Sequence, residues 1–275
     1  MSTADMGTAD VGTADVVSHY EERYDEGVRL DRDPVNKLEW IRTRLVMDRY
    51  LPEPPAAILD VGGGPGVYAV ALAEAGYDVE LIDIVPRHIR QATERGVRAQ
   101  IGDARDLPVP TNSQDAVLML GPLYHLLEIE HRIAALSEAI RVGKKGAPVL
   151  TAAISRYAPA IDALDSGYWD DREFANMVVA SLKTGRHINT TGNPAHFTTA
   201  YFHRPEELEA ELLQAGLTNV EMIAVEGIGW AAGDLAERIE DEARLTDLLD
   251  LLNRLEGEPS ILGASPHILG VGFVP

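Results

Sequence analysis

The sequence predicts an α/β fold built on one mostly parallel, seven-stranded sheet with helices on both faces. Three observations carry this expectation. After residue 55, short β-rich apolar runs alternate with helix-like segments, the mark of a sheet covered on both sides. The first of these runs leads directly into Asp60-Val-Gly-Gly-Gly-Pro-Gly66. Acidic residues, Asp83 and Asp103, then stand at the ends of the next two strands.

The elements follow in order. Residues 1–16 contain a five-residue Thr-Ala-Asp repeat too short and too polar to bury anything, and read as a disordered tail. One domain is expected over 17–275. It opens with N-terminal helices over 17–54, where Leu38, Ile41, Leu45 and Met47 recur at helical spacing before Pro52 and the prolines at 54 and 55 stop the run. Strands are expected at 56–61, 78–84, 98–101, 116–120, 148–154, 220–225 and 267–274. The intervening helices include one that starts at Pro86 and one from Arg204-Pro205 to Ala215, which Gly216 stops. Between 155 and 204 the periodicity breaks into a mixed segment, read as an inserted cap. The acidic run from Asp234 to Glu256 reads as a solvated helix face.

Composition narrows the function. The 275 residues suffice for one large domain, and 45% hydrophobic content supports a sizeable core. With 44 acidic residues against 24 basic ones, the net charge of −20 repels phosphate backbones, so no nucleic-acid partner is expected. Cysteine is absent, which excludes disulfides, thiolate metal sites and cysteine nucleophiles. The histidines are scattered without metal-ligand spacing, so no metal is expected. No apolar run approaches the roughly 20 residues of a membrane span and no leader pattern opens the chain, so a cytoplasmic protein with no membrane partner is the default.

The glycine loop carries the chemistry. Four glycines fall within five positions, at 62, 63, 64 and 66. They permit positive φ, let a ligand touch the backbone and leave exposed N–H groups at a helix start. A tight turn alone would need only one glycine. Gly64-Pro-Gly-Val-Tyr-Ala69 also fits the G-x-G-x-x-G/A dinucleotide pattern, with Asp83 where an NAD enzyme places its ribose-binding acid. The loop alone does not separate these readings. Asp103 adds a second acid beside the same crevice, an acceptor suited to an adenine amino group.

With these motifs the chain resembles the class I S-adenosylmethionine-dependent methyltransferases, a Rossmann-like family with an antiparallel last strand. The resemblance is strongest over 56–154. It implies S-adenosylmethionine as cofactor and S-adenosylhomocysteine as product. In the loop that begins at Asp60, Gly62, Gly63, Gly64 and Gly66 would form the cradle, with Gly62 and Gly64 along the methionine moiety. Asp83 would bind the ribose hydroxyls, Ile84 would cover the adenine, and Asp103 with the Ala104 N–H would meet its edge. Leu120 and Gly121 would lie beside the cofactor as backbone. The run Gly121-Pro-Leu-Tyr-His-Leu126 resembles a subgroup of bacterial small-molecule methyltransferases. It nominates Tyr124 and His125, the histidine either as general base or as an orienting group. Tyr20 and Tyr24 would reach the methionine end from an N-terminal helix. Arg42 resembles the arginine that pairs with the methionine carboxylate, although an exposed helical arginine reads the same way. His196-Phe-Thr-Thr-Ala-Tyr-Phe-His203 concentrates two histidines and three rings, as an acceptor pocket or as an edge strand with alternating rings.

The expected activity is therefore methyl transfer to an O or N atom of a small molecule, a bacterial metabolite, by a monomer or homodimer. The alternatives are an NAD-dependent oxidoreductase and a non-catalytic adenosyl-ligand-binding protein of the same fold.

Overall fold

The computed structural model describes residues 16–24, 26–193 and 196–275. The expected tail lies outside the described residues, apart from Val16. Short helical turns at His19–Arg23 and Glu26–Asp31 lead to α1, Pro34–Tyr50, which Asp33 caps by accepting from the Asn36 N–H.

The sheet has strands β1 (Ala57–Val61), β2 (Asp78–Asp83), β3 (Arg98–Ile101), β4 (Ala116–Met119), β5 (Pro148–Ile154), β8 (Thr218–Ala224) and β9 (His267–Phe273). Their spatial order is β3-β2-β1-β4-β5-β9-β8. The first five run parallel, and β9 lies antiparallel to both β5 and β8. This agrees with the expected strand count and with the antiparallel last strand. Strand β8 starts two residues earlier than expected and carries an irregularity between Thr218 and Glu221.

Alternation along the strands divides the core into two layers, because successive side chains leave a strand on opposite faces. Leu59, Val61, Val117, Met119, Val149 and Ala153 pack on one face against Leu136 and Ala139 of the helix Ile129–Val142 and against Leu208 and Leu212 of Pro205–Ala215. Ile58, Leu118, Leu150 and Ala152 pack on the other, against Val46 and Met47 of α1 and against Ala69 and Leu72 of the helix Val67–Glu74.

The chain leaves β1 for β2 on one side and reaches β4 on the other, so the strand order reverses beside β1. A crevice forms at the carboxyl ends of strands at such a switch point. The inserted segment forms the helices Ala158–Asp165 and Arg172–Thr184. It also forms a two-stranded ribbon, β6 (Arg186–His187) with β7 (Ala200–Tyr201), of which β7 falls in the stretch read as an acceptor pocket or an edge strand and β6 was not expected. Two-residue strands are too short to leave a readable alternation. The expected acidic helices are present as Leu235–Glu240 and Glu242–Leu255. Their face is not wholly solvated, since Leu235, Leu248 and Leu252 pack on Leu38 of α1.

Candidate active site

A crevice of about 1070 Å³, its open mouth included, lies at the ends of β1, β2 and β4, ample for a dinucleotide-sized or adenosyl ligand. Its floor is the glycine loop. The Gly62 N–H donates to Ile82 O at 2.6 Å and ties the loop to β2. Gly62 has φ of 67°, and a Cβ there would stand 2.7 Å from Pro122 Cγ. Conformation and space both require glycine.

Three carboxylates converge here in different electrostatic states. Asp60 is buried and lines the crevice, and neither of its oxygens has a hydrogen-bond partner. Burial, followed by repulsion from Asp83, pushes it up to about 7. A buried carboxyl without a partner is costly unless something else satisfies it, and a cationic ligand group would. Asp83 accepts from the Gly64 N–H and the Val85 N–H, each at 2.8 Å, and His88 Nδ1 stands 3.2 Å from it. Asp103 loses some ionisation to partial burial, but Arg105 more than compensates through its backbone N–H at 2.8 Å and Nη2 at 2.7 Å, holding the carboxyl below its usual range.

Most of the expected site residues are brought together. Tyr20, Asp60, Gly62, Gly63, Gly64, Asp83, Ile84, Asp103, Ala104, Leu120, Gly121, Tyr124 and His125 all line the crevice. Tyr20 Oη and His125 Nε2 are 3.1 Å apart. Burial raises both tyrosine phenols and lowers His125 to about 4. The tyrosine is therefore the donor, the imidazole is neutral, and its Nε2 is already engaged. That geometry favours the orienting role over the general base.

Five expectations need correction. Arg42 shares the buried face of α1 with Leu38 and Val46 at four-residue spacing. It is fully buried and donates to Val225 O at 3.0 Å, to Asn253 and to Glu256 at 2.6 Å, so it pins α1 to β8 and does not reach the crevice. Tyr24 stacks on His19 at 5.4 Å beneath Arg32 and is absent from the lining. Gly66 supplies the left-handed N-cap of the helix Val67–Glu74 and packs on Ala92. His203 is fully buried, 3.3 Å from Glu211, which also holds Arg132 through two bonds of 2.8 and 2.6 Å. His196 sits within the cap, bonded to Thr191 at 3.0 Å and packed on Phe174. Backbone at positive φ turns the next ring, Phe197, toward His125, at 6.1 Å.

Sequence reasoning also missed residues. His88, in the first turn after Asp83, could have been found from its position following β2. Glu26 and Arg29 line the crevice too, but no local pattern signals that their short helix folds over it. Arg29 and Arg105 are the arginines in the lining, where Arg42 is absent, and Arg29 bonds Glu26 at 2.6 Å and Glu39 at 2.5 and 2.8 Å.

A second cavity of about 590 Å³ shares Tyr20, Glu26, Arg29, Tyr68, Leu120 and Tyr124 with the crevice and continues toward β5 and β9. Its remaining wall includes Glu39, Thr43, Ile154, Phe197 and His267.

The fold is the Rossmann-like one found in S-adenosylmethionine-dependent methyltransferase structures, and the carboxylates and glycine cradle of the crevice suit an adenosyl cofactor. Residues 58–146 match the family described as a methyltransferase domain. The chain is 32% identical over 100 residues to an uncharacterized methyltransferase of Mycobacterium tuberculosis, covering 35% of this chain and 40% of that protein. It is 32% identical over 127 residues to the demethylmenaquinone methyltransferase of Corynebacterium glutamicum, covering 46% and 52%. The chain thus spans about half or less of the length of these relatives. A Thermotoga maritima structure described as an S-adenosylmethionine-dependent methyltransferase, possibly a histamine N-methyltransferase, superposes with a TM-score of 0.53 at 19% identity, covering 88% of this chain and 91% of that one. Among the described residues no helix is long and apolar enough to cross a membrane.

Proposed function

We propose that this protein transfers the methyl group of S-adenosylmethionine to an O or N atom of a small molecule, a bacterial metabolite. The observation that carries the reading is the unpartnered, buried Asp60 beside the Gly62–Gly64 cradle, with Asp83 and Asp103 at successive strand ends. The cofactor is a cation at its sulfonium and at its ammonium, and Asp60 is the group that gains most from such a ligand. Asp83 retains lone pairs for the ribose hydroxyls, and ionised Asp103 accepts from the adenine amino group. Tyr20, Tyr124 and His125 line this crevice and would stand at its reactive end.

The cofactor supplies an activated methyl group, so the protein's own work is alignment and exclusion of water. Calorimetric titration with S-adenosylmethionine, S-adenosylhomocysteine and NAD tests the reading. Saturable binding of both adenosyl ligands, lost in Asp83→Ala, is the expected result. Binding of NAD alone would overturn it in favour of an oxidoreductase, and binding without turnover on any acceptor would favour a non-catalytic relative.

A further inference from the structure

The second cavity opens from the cofactor crevice across a shared wall of Tyr20, Leu120 and Tyr124 and ends on His267. His267 is the first residue of β9, where the chain enters the sheet between β5 and β8. Its Nδ1 lies 2.6 Å from Glu226 Oε1, and its backbone N–H donates to Glu226 Oε2 at 3.0 Å. Glu226 is itself fully buried and accepts from Ser265 Oγ at 2.9 Å. The imidazole is therefore oriented by a carboxylate on one nitrogen, which leaves Nε2 as the nitrogen available to a cavity ligand.

The groups facing His267 come from three other elements: Glu226 after β8, Glu39 of α1 at 3.6 Å, and Arg29 of the preceding helical turn, which holds Glu39. Together with Glu26, this floor has three carboxylates against one guanidinium and one imidazole. A carboxylated or phosphorylated ligand meets net repulsion there. Tyr68, Tyr124 and Phe197 contribute aromatic rings to the walls.

We propose that this cavity is the acceptor subsite, that it takes a small uncharged phenol, and that His267, oriented by Glu226, receives the phenolic proton. This inference rests on the methyltransferase reading. In the transfer the phenolic O–H bond breaks and its proton moves to His267 Nε2. The oxygen pair forms the new O–C bond, and the pair of the broken C–S bond stays on sulfur as a neutral thioether. Burial works against the imidazolium, but Glu39 and Glu226 outweigh it and carry His267 up to about 9, near the ~10 of a phenol, so the accepting species is the neutral ring, whose share grows as pH approaches 9. His125 cannot do this, because burial holds it near 4.

Glu39, Glu226 and His267 also lie within a span that a metal ion could use. Arg29 already holds Glu39 through two bonds and Glu226 orients the His267 ring, so the cluster is read as a proton-accepting site.

The test begins with S-adenosylhomocysteine affinity in the wild type, His267→Gln and Glu226→Gln, which also reports folding. Loss in the wild type would sink the methyltransferase reading itself and leaves the second experiment to judge the cavity. That experiment follows the His267 ring signals by NMR as phenol, catechol, hydroquinone and 4-hydroxybenzoate are added. The uncharged phenols should move the signals and their titration, and 4-hydroxybenzoate should not. With S-adenosylmethionine present, methylated phenol should form. In His267→Gln, kcat should fall about 100-fold to 10,000-fold while S-adenosylhomocysteine affinity stays within about twofold, and the rise of kcat/KM toward pH 9 should flatten. Phe197→Ala should instead raise KM for the phenol, which keeps the subsite testable if the His267 variant misfolds. Unmoved ring signals, equal turnover in His267→Gln, methylation of amines only, or activity lost to a chelator would each overturn the proposal.

Discussion

Asp60 faces opposed demands. Its folded-state value of about 7 lies above the ~4 of an unfolded aspartate, so the native state binds the extra proton between these limits. Stability should therefore fall as pH rises from about 4 to 7, by an order-of-magnitude 4 kcal/mol. Asp60→Asn should melt higher than wild type at pH 8 and nearly equal to it at pH 4, as thermal denaturation would show. The same variant should bind S-adenosylmethionine about tenfold or more weakly, because a charge-assisted contact is lost. Wild-type affinity should decline as pH drops below about 7, since a cationic ligand requires the carboxylate. A flat calorimetric affinity between pH 5.5 and 8 would separate Asp60 from the cofactor. Gly62→Ala meets both a positive φ and Pro122, which predicts a loss of about 1–3 kcal/mol in stability together with weakened cofactor binding.

Elements are locked by charges placed far apart in the chain. Arg132 of the helix Ile129–Val142 and Glu211 of Pro205–Ala215 form a buried bidentate pair. Arg132 also donates to Leu126 O and Leu127 O at 2.8 and 2.9 Å, which fixes the segment after His125. Removing one partner strands the other charge. Glu211→Ala should therefore cost about 3–5 kcal/mol in chemical denaturation. Folded Glu211→Ala protein should keep its S-adenosylhomocysteine affinity, because neither residue lines the crevice. His203 belongs to this lock, so His203→Gln should destabilise the fold while leaving kcat close to wild type. A large fall in kcat at unchanged stability would restore His203 as a catalytic candidate.

For the whole molecule, ligand binding and folding are linked, since the crevice is assembled from β1, β2, β4 and the segment before α1, and exists only in the native state. S-adenosylhomocysteine at 100 times its Kd should add about 2.7 kcal/mol of stability, seen as a rise in Tm of roughly 5–10 °C. NAD at the same concentration should give no rise. The excess of acid over base leaves the surface strongly negative, a charge that favours neutral or cationic ligands on approach.

How much was legible follows from how local each signal is. The glycine loop, Asp83 and Asp103 could be read directly because a strand end, a turn and a helix start are written within a few adjacent residues. The alternation of apolar strand-like runs with helix-like segments likewise made a sheet covered on both faces visible, since both kinds of run are written in the chain itself. Arg42, His196 and His203 were misread because a charged or aromatic side chain looks the same whether it faces a crevice or a neighbouring helix. Glu26, Arg29 and His267 were missed for the converse reason. They come from the chain's beginning and its last strand, and only the packing of α1 and β9 against the sheet brings them to one cavity. Sequence by itself determined the α/β class and the cofactor crevice, because those rest on local backbone requirements. Tertiary structure decided which charges are paired, which histidines line a cavity and which are buried between helices, because those depend on burial and on distances between elements remote in sequence.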